Sequence, residues 1–476
     1  MTKVKINDEA YSYAVYHMTI LFFKKVEMVD SESWDYRIEI GSNNTQIFSQ
    51  DGSLQNYEFD DRIKFNDNVK MAVFKYFSHL TGRKLPWGTL IGIRPSKIAS
   101  KLIEENKSDE EIIDYYRIHN CTDEKKARLC IEVSKNERNF IKDDKKAVSI
   151  YLGMPFCPTR CLYCSFISDT IDHCKKYVDD YLNAMIYDIK ATSEYIKNKG
   201  LNISCVYFGG GTPTSVNNNQ FELIMKNVYE AFIKGNSVKE FTVEGGRPDS
   251  ITEEKLNTMK KYGVHRISIN PQTMNDDTMK VIGRHHTVQD VVDKFYMARK
   301  VGFSNINMDI IIGLPGENVD KIKNTCSEIL KLKPESLTIH GLALKRGSKL
   351  FEDILEEKEV KLPDDSEIND MFEIAHDAAR KLNMSPYYMY RQKNMLGNME
   401  NIGYSIKGRE CVYNMIMIED SEPIIAVGCH GVSKIIFKDT NRIERYANLK
   451  DVREYIKRIK EKVNGKIDFL ETLYRE

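Results

Sequence analysis

GMPFCPTRCLYCSF (153–166) is the stretch on which the reading of this chain turns. Three of the chain's ten cysteines fall inside it, at Cys157, Cys161 and Cys164. The segment before them, VSIYLGM (148–154), is apolar and β-rich and reads as a strand, so the cysteines sit on the loop that leaves it. A structural zinc site wants four closed ligands, which His173 or Cys174 could complete. A 4Fe–4S cluster takes one thiolate per iron. A run of three leaves one iron with an open position, where a substrate or cofactor can bind.

Composition bounds the setting. The chain has 476 residues, with 70 Lys+Arg against 70 Asp+Glu and a formal charge of zero. That balance gives no support for a nucleic-acid partner. Hydrophobic residues make up 41%, ordinary for a globular protein. No apolar run reaches the length of a membrane span, and MTKVKINDEAYSYAV (1–15) lacks the apolar stretch of a signal peptide. The expectation is a cytoplasmic chain without membrane insertion, where thiols stay reduced and a cysteine cluster points to a metal.

Residues 1–145 read as a separate α+β accessory domain. WDYRIEIG (34–41) alternates as a strand, DDRIKFNDNVKMAVFKYFSHLTGRK (60–84) carries a long helix, and Ser108 with Glu111 forms a capping box before another. From 146 to 350 six apolar runs alternate with amphipathic ones. The strands are placed at 148–154, 204–210, 240–246, 265–270, 306–315 and 336–342, with helices between them. Sustained βα alternation means a parallel sheet. Six units fall short of an eight-unit barrel, so the expected fold is α/β, a partial (β/α)6 barrel, with ligands at the C-terminal strand ends. Residues 351–476 are expected to form a mostly helical cap that covers the substrate.

Unusual residues gather at those strand ends. YFGGGTPTS (207–215) puts Gly209, Gly210 and Gly211 where a ligand could approach the backbone. TVEGGRP (242–248) supplies Glu244 and SINPQT (268–273) supplies Gln272. VIGRHHT (281–287) supplies Arg284, suited to a carboxylate, and NMDIIIGLPGE (307–317) supplies Asp309.

Together these motifs resemble the radical S-adenosylmethionine (SAM) enzymes, and within them the oxygen-independent coproporphyrinogen III oxidase family. IGIRPSKI (91–98), EGGRPDSIT (244–252) and YYMYRQKNMLGNMENIGYS (387–405) resemble its HemZ branch. The resemblance implies a 4Fe–4S cluster on Cys157, Cys161 and Cys164, and SAM, one molecule or two. It places Tyr151 beside the cluster and cofactor and Tyr163 against the adenine. Gly210, Gly211 and Thr212 would take the methionine portion, and Glu244, Gln272, Arg284 and Asp309 would hold the rest. Ile311 and Gly341 match positions near a second SAM. The implied reaction is oxidative decarboxylation of two propionates of coproporphyrinogen III to vinyls, giving protoporphyrinogen IX for heme synthesis under anaerobic conditions. The implied partners are the tetrapyrrole and a small electron-transfer protein as reductant, with a monomer as the default state.

One position departs from the family. The oxidases continue to a fourth cysteine where this chain has Phe166. Heme chaperones of the same superfamily also lack it, which keeps heme binding open as the alternative, beside another radical reaction on a tetrapyrrole. Cys429 and His430, in AVGCHGVSK (426–434), read as a tight turn or as ligands to a heme iron. His285 and His286 read as surface histidines, and Cys205 and Cys326 as buried thiols.

Overall fold

The computed structural model describes residues 1–92, 94–138, 140, 144–165, 169–437, 440 and 442–474. They form two compact units. The first spans Met1–Lys135 together with Asp364–Asn369 and Met389–Glu400. The second holds Asn136–Pro363, Asp370–Tyr388 and Asn401–Glu476. Where three consecutive domains were expected, the first unit ends ten residues early and takes back two short segments from beyond residue 350.

The first unit is built on a five-stranded sheet. Its strands are β1 (Thr2–Ile6), β2 (Val26–Met28), β3 (Tyr36–Ile40), β4 (Asn44–Ser49) and β5 (Leu54–Glu58), in the order β2-β1-β3-β4-β5. One sheet face and the helix Phe65–Thr81 close over Val4, Ile38, Ile47, Val69, Val73 and Phe77, all fully buried. The capping box at Ser108 forms as expected: its side chain accepts from Glu111 N, and the Glu111 carboxylate accepts from Ser108 N.

The second unit carries the six expected parallel strands in chain order. They are β6 (Ala147–Met154), then β9 (Asn202–Gly210), β10 (Glu240–Gly246), β11 (Arg266–Ile269), β12 (Ile306–Ile312) and β13 (Ser336–Gly341). Between β6 and β9 a two-stranded ribbon joins β7 (Phe156–Cys157) to β8 (Asp169–Thr170). Residues 351–476, expected as a mostly helical cap, also supply five strands: β14 (Ser385–Tyr390), β15 (Asn401–Ser405), β16 (Ile424–Gly428), β17 (Val432–Phe437) and β18 (Arg442–Ala447). They extend the parallel sheet on both sides to eleven strands, β14-β15-β13-β12-β11-β10-β9-β6-β16-β17-β18. Their short runs had looked irregular because edge extensions need few residues each.

Register sets which side chains share a face. Tyr151 pairs with Tyr207, Tyr207 with Thr242, and Thr242 with Arg266. Two residues further along, on the same face, Glu244 pairs with Ser268, Ser268 with Asn307, and Asn307 with Ser336. That face is polar from strand to strand. The other carries Leu152, Phe208, Val243, Ile267, Met308 and Leu337, each at most 1% exposed. Each such side chain contributes about 1.5–3 kcal/mol when buried. With one face apolar and fully buried, the polar face opposite is committed to something other than apolar packing. No helix among the described residues is long and apolar enough to cross a membrane.

The end of β6 is fixed by a buried charge pair. Lys466 and Asp188, each nearly inaccessible, form an ion pair, and Lys466 Nζ also donates to Thr192 Oγ1 (2.9 Å) and Ala426 O (3.0 Å). Tyr455 OH donates to Asp188 Oδ2 (2.8 Å), and Tyr181 OH donates to Gly153 O (2.6 Å). Asp188→Ala leaves the ammonium buried and unpaired, and should cost about 3–5 kcal/mol. A double substitution with Lys466→Met should recover most of the lost melting temperature, as read by thermal denaturation followed by circular dichroism.

Candidate active site at the ends of the parallel strands

The loop after β6 is held from several directions. Gly211 N donates to Met154 O (2.6 Å) and Thr212 N to Phe156 O (2.8 Å). Leu162 N donates to Ile282 O (3.0 Å), Thr159 Oγ1 to Gly283 O (3.0 Å), and Arg160 Nη2 to Gly347 O (2.6 Å). Cys157 closes β7, Cys161 is buried, and Cys164 N donates to Cys161 O (3.1 Å). None of the ten cysteines forms a disulfide. Among the described residues no group of three or more His, Cys, Asp or Glu side chains stands in metal-binding geometry. The remote ligands considered for zinc do not join the three thiols. His173 is exposed, and the buried Cys174 thiol donates to Asp169 Oδ2 (3.5 Å), its pKa pushed up to about 11 by burial. Phe166 lies outside the described residues.

The glycines of YFGGG serve close packing of the chain on itself. Gly210 has φ +102°, and a Cβ there would meet Met154 O at 2.7 Å. At Gly211 it would meet Phe156 O at 2.6 Å and Cys157 Sγ at 3.0 Å. At Gly209 it would meet the Glu244 carboxyl at 2.8 Å. Thr212 is buried and its Oγ1 donates to Cys157 Sγ (3.5 Å).

Glu244 stands near the end of β10, half-buried. Its Oε1 accepts from Tyr207 OH. Burial pushes its carboxyl up to about 7, helped by the charge of Asp309 and opposed by the Tyr207 hydrogen bond. Tyr207 lies in a stack that sequence reading did not find. Its ring centroid is 4.5 Å from Tyr413 and 6.3 Å from Tyr151, with interplanar angles of 22° and 14°. Alternation placed Tyr207 on the face of Gly209, but only strand register pairs it with Tyr151.

Asp309 is further back, inside β12. It accepts from Asn307 Nδ2 (2.6 Å), with His340 Nε2 3.8 Å away. Burial raises its pKa, but His340 and the hydrogen bonds outweigh that and hold it below the ordinary value. Gln272 adopts φ +66°, and its backbone bridges to β12: Gln272 N donates to Asp309 O (2.9 Å) and Ile311 N to Gln272 O (2.9 Å). The buried Gln272 Oε1, Asn270 Oδ1 and Ser268 Oγ have no hydrogen-bond partner among the described residues. Arg284 follows a short helix rather than a strand end. Its Nη1 donates to Asn270 O (2.6 Å) and its Nη2 to Tyr163 OH (3.3 Å). Ile311 is buried in β12, on the face of His340, and Gly341 ends β13 opposite Ile312.

Two expectations change. His286 is buried at 5% exposure with neither ring nitrogen hydrogen-bonded among the described residues, while His285 is exposed as expected. HH had looked like a polar surface pair, but consecutive residues face opposite ways. Cys429 is also buried, its backbone N donating to Tyr181 OH (3.2 Å), in a turn where His430 takes φ +61°. Cys205 and Cys326 are buried, as expected.

The residues present suit a 4Fe–4S cluster and its SAM on structural grounds. Three thiols lie on one loop against a glycine-lined strand end. Orphaned buried acceptors and a half-buried carboxyl stand at neighbouring strand ends.

Residues 151–329 match the family model of the Radical SAM superfamily. Over 444 residues, 92% of this chain and 86% of the other, the sequence is 38% identical to the Bacillus subtilis oxygen-independent coproporphyrinogen-III oxidase-like protein HemZ. It is 32% identical over 226 residues to the heme chaperone HemW of the same organism, 48% of this chain and 58% of that one. The Escherichia coli coproporphyrinogen III oxidase HemN, a radical SAM enzyme, superposes with a TM-score of 0.54 over 67% of this chain and 70% of its own, at 21% identity, which is a likeness of fold. Membership of the superfamily carries a 4Fe–4S cluster and SAM with it. The chain belongs to the radical SAM superfamily and, within it, to the family of the oxygen-independent coproporphyrinogen-III oxidase-like protein HemZ.

Proposed function

We propose that this chain is a radical SAM oxidoreductase that decarboxylates two propionates of coproporphyrinogen III to vinyl groups, giving protoporphyrinogen IX. The observation that carries this reading is the polar sheet face ending in Glu244, Asn270, Gln272 and Asp309 beside the three-cysteine loop. The identity to an oxidase-like relative over 92% of the chain supports the substrate class. Each propionate loses a hydrogen atom, carbon dioxide and one electron. The electron passes to an external one-electron acceptor, and a small electron-transfer protein supplies the reducing electron.

Cys157, Cys161 and Cys164 would hold the cluster. When bound, the cluster and SAM supply a carbon radical able to take hydrogen from an unactivated C–H bond, which acid–base groups cannot do. The backbone of Gly210 and Gly211, with Thr212, would receive the methionine portion. Glu244 and Asp309 would accept hydrogen bonds from ribose or ammonium donors, and Gln272 would satisfy its orphaned Oε1 in the same way. Arg284 orients Tyr163 through the hydrogen bond already present, and Tyr163 would flank the adenine. Tyr151 would lie beside the cluster and cofactor, stacked on Tyr207, whose hydroxyl donates to Glu244. Ile311 and Gly341 would border a second SAM.

A second reading has its own support. The 32% identity to a heme chaperone extends over 226 residues, 48% of this chain, and favours heme binding as the alternative. The buried thiol of Cys429 gives it no help, because burial pushes that thiol well above its ordinary pKa.

Anaerobic reconstitution followed by reductant, SAM and coproporphyrinogen III separates the two. Stepwise loss of two carboxyl groups, with 5′-deoxyadenosine formed, is the expected result, and Cys161→Ala should lower it at least about 100-fold. Cofactor cleavage with an unchanged tetrapyrrole, and stoichiometric heme uptake, would replace the dehydrogenase reading with the chaperone one. SAM affinity should also depend on pH. The Glu244 carboxyl titrates near 7 and accepts hydrogen bonds fully only when ionised. Binding should therefore tighten up to about tenfold from pH 6 to pH 8, as measured by calorimetry. Glu244→Gln should bind more weakly at pH 8 and lose the pH dependence.

A further inference from the structure

We infer that Arg247 tunes and positions the Cys161 thiolate, setting the reduction potential of the centre on that loop. This rests on the cluster reading above and deepens it. Arg247 follows β10 in the GGRP run and is only 3% exposed. Its guanidinium is locked from two sides. Nε and Nη2 donate to Asp249 Oδ1 (3.0 Å) and Oδ2 (2.6 Å), the bidentate arrangement that a planar fork favours. Nη1 turns to the cysteine loop instead. It donates to Thr159 Oγ1 (2.5 Å) and Thr159 O (3.2 Å), and it lies 3.8 Å from Cys161 Sγ.

The backbone around it is equally fixed. Ser250 Oγ donates to Arg247 O (2.8 Å) and Lys255 Nζ to Ser250 O (2.9 Å). Thr214 Oγ1 ties the turn to the glycine strand end through Gly245 O (2.9 Å). The charge thus sits on a rigid turn rather than on a mobile arm.

A buried guanidinium so placed has no cofactor carboxylate to meet, because Asp249 already takes its fork. What remains is its charge and its Nη1 donors beside a sulfur. One-electron reduction adds negative charge to an iron–sulfur centre. Hydrogen bonds and positive charge at the thiolate stabilise the reduced form more than the oxidised one, and so raise the potential. Asp249 opposes this from another edge of the guanidinium. His286, 4.0 Å from Asp249 Oδ1, adds no charge at neutral pH, since burial and Arg284 bring its pKa down to about 4.

The test is a potentiometric titration of the reconstituted protein followed by electron paramagnetic resonance, with iron content measured alongside. Arg247→Met should load iron as the wild type does. Its one-electron equilibrium should shift about tenfold toward the oxidised form, about 59 mV. Arg247→Lys should fall between the two. Asp249→Asn should shift the potential the opposite way, because the counter-charge is gone and an acceptor remains. A loaded Arg247→Met with the wild-type potential overturns the inference. Should Arg247→Met fail to fold or load, Asp249→Asn decides: an upward shift supports it, and an unchanged or lower potential overturns it. Wild-type protein that assembles no four-iron cluster overturns the cluster reading and this inference with it.

Discussion

The structure depends on one close approach, that of the glycine strand end to the backbone of the cysteine loop. Gly211 N and Thr212 N reach Met154 O and Phe156 O at 2.6 and 2.8 Å. No side chain larger than hydrogen fits at Gly210 or Gly211, since a Cβ would stand within 2.7 Å of a carbonyl oxygen at either. Gly210 also needs positive φ, which glycine takes at little cost. The contact does mechanical work. It joins the loop to β9, while Thr214, Ser250 and Lys255 join β9 to the turn after β10. Three successive strand ends become one rigid rim, and the cysteines are mounted on it.

Behind the rim, the sheet pays for its polar face with paired groups. Arg266 Nη2 donates to Ser336 Oγ (3.0 Å) across three strands. Asn307, Asp309, Thr338 and His340 form a chain of contacts in the next layer. A buried polar group left unpaired costs about 1–3 kcal/mol, so partners are the rule. The exceptions therefore carry information. Ser268, Asn270 and Gln272 hold polar oxygens without a partner among the described residues, and they lie on or just beyond β11, toward the rim. Others are scattered through the chain, but these three stand together where a polar ligand would be received.

Much of this was legible in the sequence, for physical reasons. β-rich runs of four to nine residues between amphipathic helices fix parallel strands with little ambiguity, and all six appear within three residues of their expected bounds. The GGG run and the cysteine run each announced themselves by composition. What was illegible depends on register or on distance along the chain. Tyr151, Tyr207 and Tyr413 form one stack only because β6 and β9 pair in phase and a helix some 200 residues later delivers the third ring. His286 and Cys429 looked like surface residues because local polarity says nothing about what folds over them. The strands of the C-terminal region were missed because each is short and borrows its stability from the sheet it joins.

Strand β10 shows how position along one face decides what a residue can do. Glu240 and Glu244 lie four residues apart, so both face the same way, at opposite ends of the strand. Glu240 is surrounded by donors. It accepts from Val412 N (2.7 Å), Tyr413 N (3.4 Å), Cys411 Sγ (3.3 Å) and Thr242 Oγ1 (3.0 Å). It thereby caps the helix Val412–Glu419, which brings Tyr413 under the sheet as a floor. Among the described residues Glu244 has one donor, Tyr207, and burial is what lifts its pKa toward neutrality. The donors given to the first carboxylate build the floor, and the donors withheld from the second leave it able to receive a ligand. The same side chain thus serves the fold at one end of a strand and stands ready for chemistry at the other.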